Sequence, residues 1–380
     1  MRRTSDASRK PRAESVVREL FSLAGITVDG PQPWDIRVND ERFYARVIGG
    51  GALALGESYM DRWWDAESID GFIEHALDAR LETRVRRGRH AIVAALRWKL
   101  ANPQGRRRAW EVGRRHYDAG NDLFALMLDR RMVYSCAYWR EAQSLDDAQE
   151  AKLDLICRKL ELAPGMRLLD IGCGWGSLLH YAAERYGVSG TGVTVSAEQA
   201  ELATDRCRGL PVDIRLQDYR SITGEYDRVA SVGMAEHVGW RNYGEYMRTA
   251  HRSLVPGGLF LLHTIGSNVS DRSGDPWLER YIFPNSMLPS VAQLSSAAEP
   301  HFVVEDLHGF GPDYDRTLLE WERRFRAGWP TIADRYDERF YRMWRYYLLS
   351  SAAGFRVRRV QLWQLLLSKQ PRRKAGPREL

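Results

Sequence analysis

The chain has 380 residues, of which 44% are apolar and 28% charged, and its net charge is +6 at pH 7. This length predicts two domains, while the absence of an apolar run near 20 residues argues against a membrane-spanning helix. The N-terminus has no apolar segment after its basic residues, so no secretory signal is expected. The four cysteines lack metal-binding spacing, which predicts reduced thiols and no metal site.

The first 80 residues have a composition unlike that of the rest. Residues 1–14 are polar and basic and are predicted to be disordered. Residues 15–80 are predicted to form a small α+β domain that binds lipid or mediates dimerisation. Within it, Trp34 to Val47 alternates as short strands do, Gly49–Gly51 predicts a turn, and Asp70 is a candidate helix N-cap.

A strongly basic connector follows at residues 81–115. From residue 80 to 115, twelve Arg or Lys residues stand against Glu82 and Glu111, a balance of +10. The apolar stretch from Ala91 to Leu100 lies between the basic clusters, which predicts an amphipathic helix on an anionic membrane surface. A solvated linker is the alternative interpretation.

Residues 116–370 alternate between strand and helix patterns, which predicts a parallel sheet covered on both faces. The aromatic and proline-rich residues 267–345 are interpreted as a helical cover, Val357–Leu367 as the closing strand, and residues 371–380 as a disordered tail. The predicted strands lie near Arg167–Ile171, Gly190–Val195, Ile214–Leu216, Asp227–Val232 and Leu259–His263.

The most informative motif is the run from Leu168 to Gly176, an apolar strand followed by Asp170-x-Gly172-x-Gly174-x-Gly176. Glycines permit positive φ angles and close approach of a ligand, and open α/β sheets bind ligands at the carboxyl ends of strands. The spacing differs from the G-x-G-x-x-G of dinucleotide sites and is associated with S-adenosylmethionine enzymes. Asp170 would then lie near the cofactor's ammonium group. A glycine-rich turn without a ligand is the alternative.

Other polar residues follow the neighbouring strands. Glu236, His237 and His263 are expected to share one pocket and could perform acid–base chemistry. The second strand ends in Thr194 rather than the acidic residue that often holds a ribose, and Gln199 could supply those contacts. Asp218 and Tyr219 follow the third strand, where an adenine ring could be hydrogen-bonded and stacked; each of these residues could equally be structural.

Together these segments resemble the bacterial cyclopropane-fatty-acyl-phospholipid synthase family over nearly the whole chain. The resemblance rests on residues 116–122 (HYDAGND), 134–139 (YSCAYW), 169–176 (LDIGCGWG), 192–199 (GVTVSAEQ), 231–239 (SVGMAEHVG), 262–266 (LHTIG), 281–285 (YIFPN) and 311–315 (GPDYD). It implies a Rossmann-like class I methyltransferase fold with a helical cover.

The resemblance also implies an activity, in which S-adenosylmethionine provides a methylene group to the cis double bond of an unsaturated phospholipid acyl chain. A carbocation on the chain is stabilised by aromatic faces and loses a proton to bound bicarbonate. The positions implied to hold bicarbonate are Cys136, Glu236, His263, Ile265 and Tyr314. The positions implied or inferred to contact the cofactor are Tyr134, Ser135, Asp170, Gly172, Cys173, Gly174, Gly176, Thr194, Ser196, Gln199, Asp218 and Tyr219.

Further implications concern partners. The family resemblance implies a homodimer, and the charge implies a cytoplasmic protein bound peripherally to the inner face of the cell membrane. One departure is Ser351, which stands where family members often carry a cysteine. If this chain is active, a thiol is not required there; an inactive or altered enzyme is the alternative.

The sequence leaves three rival functions to compare with this one. A related enzyme could leave a methyl branch on the chain, and the sequence separates this from ring formation poorly. A nucleic-acid methyltransferase is disfavoured, because Gly233-Met234-Ala235-Glu236 is not the Asn/Asp-Pro-Pro-aromatic motif, so no nucleic-acid partner is expected. A non-catalytic lipid-binding module would have to retain Cys136, Glu236, His263 and Tyr314 without using them.

Overall fold

The structure is a computed structural model that describes residues 13–81, 120–271 and 274–372. Nearly all of the basic connector predicted at 81–115, and most of the two predicted disordered tails, therefore lie outside the described residues. Within the described residues, no helix is both long enough and apolar enough to cross a membrane.

The N-terminal part contains three helices and a two-stranded antiparallel sheet. Their bounds are α1 Ala13–Ser22, β1 Ile36–Val38, α2 Arg42–Met60, β2 Trp64–Ala66 and α3 Ile69–Asp78.

Three local predictions in this part were wrong. Only residues 36–38 of the Trp34–Val47 stretch form a strand, because Phe43, Tyr44 and Val47 bury a helical face of α2. Gly49–Gly51 lies inside α2, where Gly51 has φ 57° and ψ −138° and kinks the helix. The N-cap of α3 is Ser68, whose hydroxyl accepts from Gly71 N, and Asp70 lies in the first turn.

The large sheet has seven strands in the order β5-β4-β3-β6-β7-β9-β8, with β9 antiparallel to both of its neighbours. Strands predicted near Arg167, Gly190, Ile214, Asp227 and Leu259 all exist. The sheet and the helices around its first five strands are α4 Asn121–Met127, α5 Leu145–Lys159, β3 Arg167–Ile171, α6 Ser177–Tyr186, β4 Ser189–Thr194, α7 Ala197–Arg206, β5 Val212–Leu216, β6 Tyr226–Val232, α8 Ala235–Val238, α9 Tyr243–Arg252 and β7 Leu254–Ser267.

The segment interpreted as a helical cover is helical in large part, but it also carries a strand. Residues 303–309 form β8, which pairs with β9 at the edge of the sheet and has a half-exposed burial pattern without clear alternation. The remaining elements are α10 Pro276–Tyr281, α11 Val291–Ala298, β8 Val303–Gly309, α12 Pro312–Gly328, α13 Glu338–Arg356 and β9 Val360–Ser368.

The N-terminal elements share a hydrophobic core with the C-terminal helices. One cluster of buried residues includes Phe43 and Trp64 of the N-terminal part together with Trp321 and Trp344 of α12 and α13. Tyr59 and Tyr346 are 5.7 Å apart between ring centroids across this contact. Residues 13–81 therefore pack directly on the helices that cover the sheet.

Candidate active site

The glycine-rich loop joins β3 to α6 at the carboxyl edge of the sheet. Strand β3 is buried from Leu168 to Ile171, and the loop that follows places Gly172 at φ 84° and Gly174 at φ 53°. Only glycine adopts such angles without strain. A Cβ on Gly172 would lie 2.7 Å from Met234 Cγ, so a side chain there would also collide with the residues after β6.

A cavity of about 180 Å³ opens beside this loop. All predicted cofactor residues line it except Gly176, which instead precedes α6 and faces Ala203 and Cys207. The predicted residues that line the cavity are Tyr134, Ser135, Asp170, Gly172, Cys173, Gly174, Thr194, Ser196, Gln199, Asp218 and Tyr219.

The cavity wall after β4 is a connected hydrogen-bond network. The Thr194 hydroxyl donates to Gln199 Oε1 at 3.0 Å and accepts from Ser196 N at 3.2 Å. Ser196 caps α7 by accepting from Gln199 N at 3.3 Å. This network fixes the orientation of all three polar side chains, which are buried.

The wall after β5 carries an acidic residue held by an arginine. Asp218 accepts from Arg220 N at 2.9 Å and from the Arg220 guanidinium at 3.0 Å. The same guanidinium lies 4.6 Å from the centre of the Tyr219 ring. Arg220 also lines the cavity, although the sequence analysis did not single it out.

At the deepest part of the wall, two oppositely charged residues are buried. Asp170 is 2% exposed and its Oδ1 has no hydrogen-bond partner among the described residues. Burial raises the pKa of Asp170 to about 7, and the charge of Lys152 opposes that rise. Lys152 is 1% exposed and donates to Ser135 Oγ at 2.6 Å.

Lys152 was missed by the sequence analysis, although a signal was present. Burial lowers its pKa to about 8, against the effect of three acidic neighbours. Residues 145, 148, 149, 152 and 156 form the buried stripe of α5, with the spacing of one helical face. A lysine in such a stripe is rare unless it is paired, so helical periodicity would have identified it.

Two of the predicted acid–base residues, Glu236 and His263, do not line the cavity. Glu236 lies on α8 between the cavity-lining residues Met234 and His237, and His263 lies on β7, paired with the cavity-lining Val232. Glu236 Oε1 accepts from Ile265 N at 2.6 Å, which joins α8 to β7. Glu236 Oε2 and His263 Nε2 are buried and have no partner among the described residues. Burial raises the pKa of Glu236 to about 7 and lowers that of His263 well below its ordinary value.

His237 joins the cofactor cavity rather than this pair. It lines the cavity, and burial lowers its pKa to about 4, so its imidazole is neutral at physiological pH.

The segment 134–139, which contains Cys136, is hydrogen-bonded to α12, which contains Tyr314. Thr317 accepts from Ala137 N at 3.2 Å and from Trp139 Nε1 at 2.9 Å. Cys136 is fully buried and its thiol donates to Ala137 O at 3.2 Å. Because burial raises the pKa of this thiol well above its ordinary value, Cys136 remains protonated and is not a nucleophile.

Aromatic rings surround the Tyr134 end of the cavity. The Tyr134 ring lies 5.0 Å from Phe124 and 5.2 Å from Trp321, and its hydroxyl is 2.8 Å from that of Tyr347. Trp175 completes the group at 4.9 Å from Phe124. These rings form an apolar wall with an electron-rich surface.

Ser351 lies in α13, is half-buried and does not line the cavity.

Known proteins share this sequence and fold. The family profile described as mycolic acid cyclopropane synthetase matches residues 104–365. The chain is 53% identical over 354 residues to the cyclopropane-fatty-acyl-phospholipid synthase of Escherichia coli (strain K12), covering 93% of both chains. It is 34% identical over 351 residues to the tuberculostearic acid methyltransferase UfaA1 of Mycobacterium tuberculosis (strain ATCC 25618 / H37Rv), covering 86% of this chain and 81% of UfaA1. The solved structure of mycolic acid cyclopropane synthase CmaA1 complexed with SAH and CTAB matches with a TM-score of 0.65 and 32% identity, over 68% of this chain and 98% of CmaA1.

Proposed function

The chain belongs to the mycolic acid cyclopropane synthetase family, and from that premise we propose that it converts cis double bonds of unsaturated phospholipid acyl chains into cyclopropane rings. The methylene donor is S-adenosylmethionine, which supplies an electrophilic methyl carbon when bound. The observation that carries the proposal is that Glu236 Oε2 and His263 Nε2 are both buried without a partner among the described residues, on elements that adjoin the cavity of the glycine-rich loop.

The cavity residues fit a zwitterionic cofactor. The Asp170 carboxylate would accept from its ammonium group, since Oδ1 is buried and has no other partner among the described residues. Lys152 holds Ser135 in place and adds a positive charge at the same end of the cavity. Thr194 and Gln199 would meet the ribose, and Asp218 and Tyr219 the adenine.

The second pair fits a small hydrogen-bonding anion, and we assign it to bicarbonate, which supplies a base when bound. Glu236 Oε2 would accept from its hydroxyl group, because two bare anions in contact would repel each other. His263 and Ile265 both lie on β7 and would bind the ion from that side. Cys136 and Tyr314 would close the site from the side of α12.

The surroundings suit an alkene substrate, which is a weak nucleophile. The aromatic rings around Tyr134 and Trp321 exclude water and would stabilise positive charge on the acyl chain, an effect worth about 2 kcal/mol when desolvated. Because the Cys136 thiol stays protonated, it does not compete as a nucleophile for that charge.

A methyl-branched product is the second candidate function. The similarity to a tuberculostearic acid methyltransferase over 86% of the chain favours it. The greater identity to a cyclopropane synthase over 93% of the chain favours ring closure. A cyclopropane chain and a methyl-branched chain that keeps its double bond both gain one CH2 and have the same mass, whereas reduction of the branched chain adds two further hydrogens. Proton spectra must therefore accompany mass measurement.

We also propose where the protein acts and how it assembles. The net charge of +6 and the +10 balance between residues 80 and 115 support peripheral binding at the anionic inner face of the cell membrane. A cytoplasmic homodimer is supported by the family resemblance, and light scattering on the purified chain would measure its mass.

The first experiment incubates the purified protein with unsaturated phospholipid vesicles and S-adenosylmethionine, with and without bicarbonate. We expect a gain of CH2, loss of vinyl proton signals and new high-field ring protons, each dependent on bicarbonate. Glu236→Gln should lower the rate by about 10²–10⁴-fold, the range of a general acid–base contribution. Lipid mass spectrometry and proton NMR measure both outcomes.

Glu322→Gln is the matched control, since Glu322 is also buried but pairs with Arg345 on α13 outside the site. It should retain activity. CH2 gain without ring protons would indicate the methyl-branching function, and unchanged lipid with bound cofactor would contradict both.

A further inference from the structure

His263 has two ring nitrogens with different surroundings. The residue lies on β7 and is 1% exposed. Its Nδ1 is 3.3 Å from Nε2 of Gln364, which lies directly opposite on β9 and is fully buried. Its Nε2 has no partner among the described residues and belongs to the pair assigned above to bicarbonate.

The chemistry of the amide decides which ring nitrogen carries the proton. An amide nitrogen donates hydrogen bonds and cannot accept them. In the structure the amide nitrogen of Gln364 faces Nδ1 of His263, and Gln364 Oε1 has no partner among the described residues. In this orientation Nδ1 accepts from Gln364, and a neutral imidazole then carries its hydrogen on Nε2. Among metal-binding histidines, a partner on the far nitrogen fixes the tautomer in the same way.

The surroundings keep the ring neutral, so that one tautomer is selected rather than the doubly protonated form. Burial lowers the pKa of His263, and positive charge on Lys152, Lys159 and His308 lowers it further. The two lysines lie on α5 and His308 on β8, opposite Gln364 on its other side. The carboxylate of Glu236 contacts the same strand, β7, by accepting from Ile265 N.

We propose that Gln364 is a positioning residue that holds His263 as the Nε2–H tautomer, so that His263 donates a hydrogen bond into the site where Glu236 accepts one. This inference rests on the proposed function. An ion with one hydroxyl and further acceptor oxygens, such as bicarbonate, matches a site with one acceptor and one donor. The arrangement therefore orients the ion as well as binding it.

The direct test is the tautomer itself, measured on the full-length protein labelled with [15N]histidine. Long-range 1H–15N spectra near pH 8 distinguish the two neutral forms, and a His263→Asn sample identifies the resonances. We expect the hydrogen of His263 on Nε2 in the unsubstituted protein. A hydrogen on Nδ1 would overturn the proposal without any variant.

Gln364→Glu reverses the polarity of the contact at constant size. A carboxylate only accepts, so the neutral ring should move its hydrogen to Nδ1. We expect the KM for bicarbonate to rise by at least about tenfold, the lower end of the loss seen when a residue that orients a binding histidine is replaced. The KM for S-adenosylmethionine should not change. Unchanged tautomer and unchanged bicarbonate KM would overturn the proposal.

A pH profile separates this effect from a packing defect. The introduced carboxylate favours the imidazolium, which regains a hydrogen on Nε2. The activity of Gln364→Glu relative to the unsubstituted protein should therefore rise as pH is lowered, whereas a packing defect would give a constant ratio.

Gln361→Glu is the matched control, because Gln361 lies on the same strand, is also buried and bonds to Arg358. It should leave the tautomer and the bicarbonate KM unchanged. The proposed function can fail separately from this inference. If the unsubstituted protein shows the expected tautomer but no dependence on bicarbonate, the assignment of bicarbonate is refuted. The role of Gln364 in holding the His263 ring would then still stand.

Discussion

Asp170 is a buried carboxylate in the wall of the cavity that we propose binds the cofactor. Its pKa is raised to about 7, so the Asp170 carboxyl group is partly protonated at neutral pH when no ligand is bound. Burying a charge without a fixed partner is unfavourable, and a ligand ammonium group would relieve that cost. The unfavourable burial of the Asp170 charge therefore favours binding of a ligand that carries an ammonium group.

Cofactor affinity should consequently depend on pH. Between about pH 7 and 5.5, protonation of Asp170 removes the ammonium acceptor, so affinity should fall by up to roughly tenfold per pH unit. Asp170→Asn should bind S-adenosylmethionine weakly and with little pH dependence. Isothermal titration calorimetry at several pH values measures this.

Asp213→Asn serves as the control, because Asp213 is exposed on β5 and pairs with Arg215. It should bind as the unsubstituted protein does at every pH. A pH slope retained in Asp170→Asn would show that another group is responsible.

At the scale of elements, α13 connects the N-terminal part to the helices covering the site. Its Arg342 is 8% exposed and donates to Tyr59 O at 2.6 Å, to Trp64 O at 3.0 Å and to Asp65 Oδ1 at 2.7 Å. The guanidinium also lies 3.8 Å from the centre of the Tyr59 ring. One side chain thus binds an acceptor at the end of α2 and two acceptors in β2.

Arg342→Ala should lower the free energy of unfolding by about 3–5 kcal/mol, because it leaves buried acceptors and a carboxylate without their partner. Arg342→Lys should recover only part of the loss, since an ammonium lacks the planar fork that reaches several acceptors. Urea unfolding followed by circular dichroism measures both.

Arg323→Ala is the comparison, since Arg323 is exposed and pairs only with Glu320 in the contacts described for it. Its effect should stay within about 0.5 kcal/mol. A loss below about 1 kcal/mol for Arg342→Ala would contradict the importance of this junction.

At the scale of the whole molecule, charge and shape have separate consequences. Residues 13–81 share a hydrophobic core with the catalytic part. The strongly basic residues between them lie outside the described structure, and the described residues on either side of them belong to parts that pack together. We predict that this basic segment directs the protein to anionic membranes.

Vesicle co-sedimentation should therefore require anionic lipid. It should weaken with salt, because the Debye length falls to about 10 Å at 0.1 M ionic strength. Replacing Arg106, Arg107 and Arg108 with Gln should weaken binding, at roughly 1 kcal/mol per removed charge near the surface. Equal binding to neutral vesicles at high salt would contradict the electrostatic part.

A variant with equal charge loss elsewhere tests the location of the effect. The side chains of Arg167, Arg185 and Arg208 are 53%, 57% and 81% exposed. Their triple replacement with Gln should bind vesicles more strongly than the Arg106–Arg108 variant. Equal losses would mean that only net charge matters.

Elements that depend on neighbouring residues in the sequence were predicted, and elements that depend on distant contacts were missed more often. Strand β3 and the loop after it were predicted because glycine spacing and an apolar run act locally. Strand β8 was missed because it is an edge strand whose half-exposed residues do not alternate. Lys152 was missed because the sequence analysis did not follow the helical stripe of α5 in which it is buried.

The sequence by itself determined the glycine loop, the strands around it, the basic connector and, through resemblance, the family. Only the tertiary structure decided that Gly176 turns away from the cavity, that Lys152 supports Ser135 and that Gln364 faces His263. The physical reason is distance along the chain: Gln364 lies 101 residues from His263. Such partners meet only when the β7–β9 register is formed, and no local pattern encodes which nitrogen of a buried ring will find a donor.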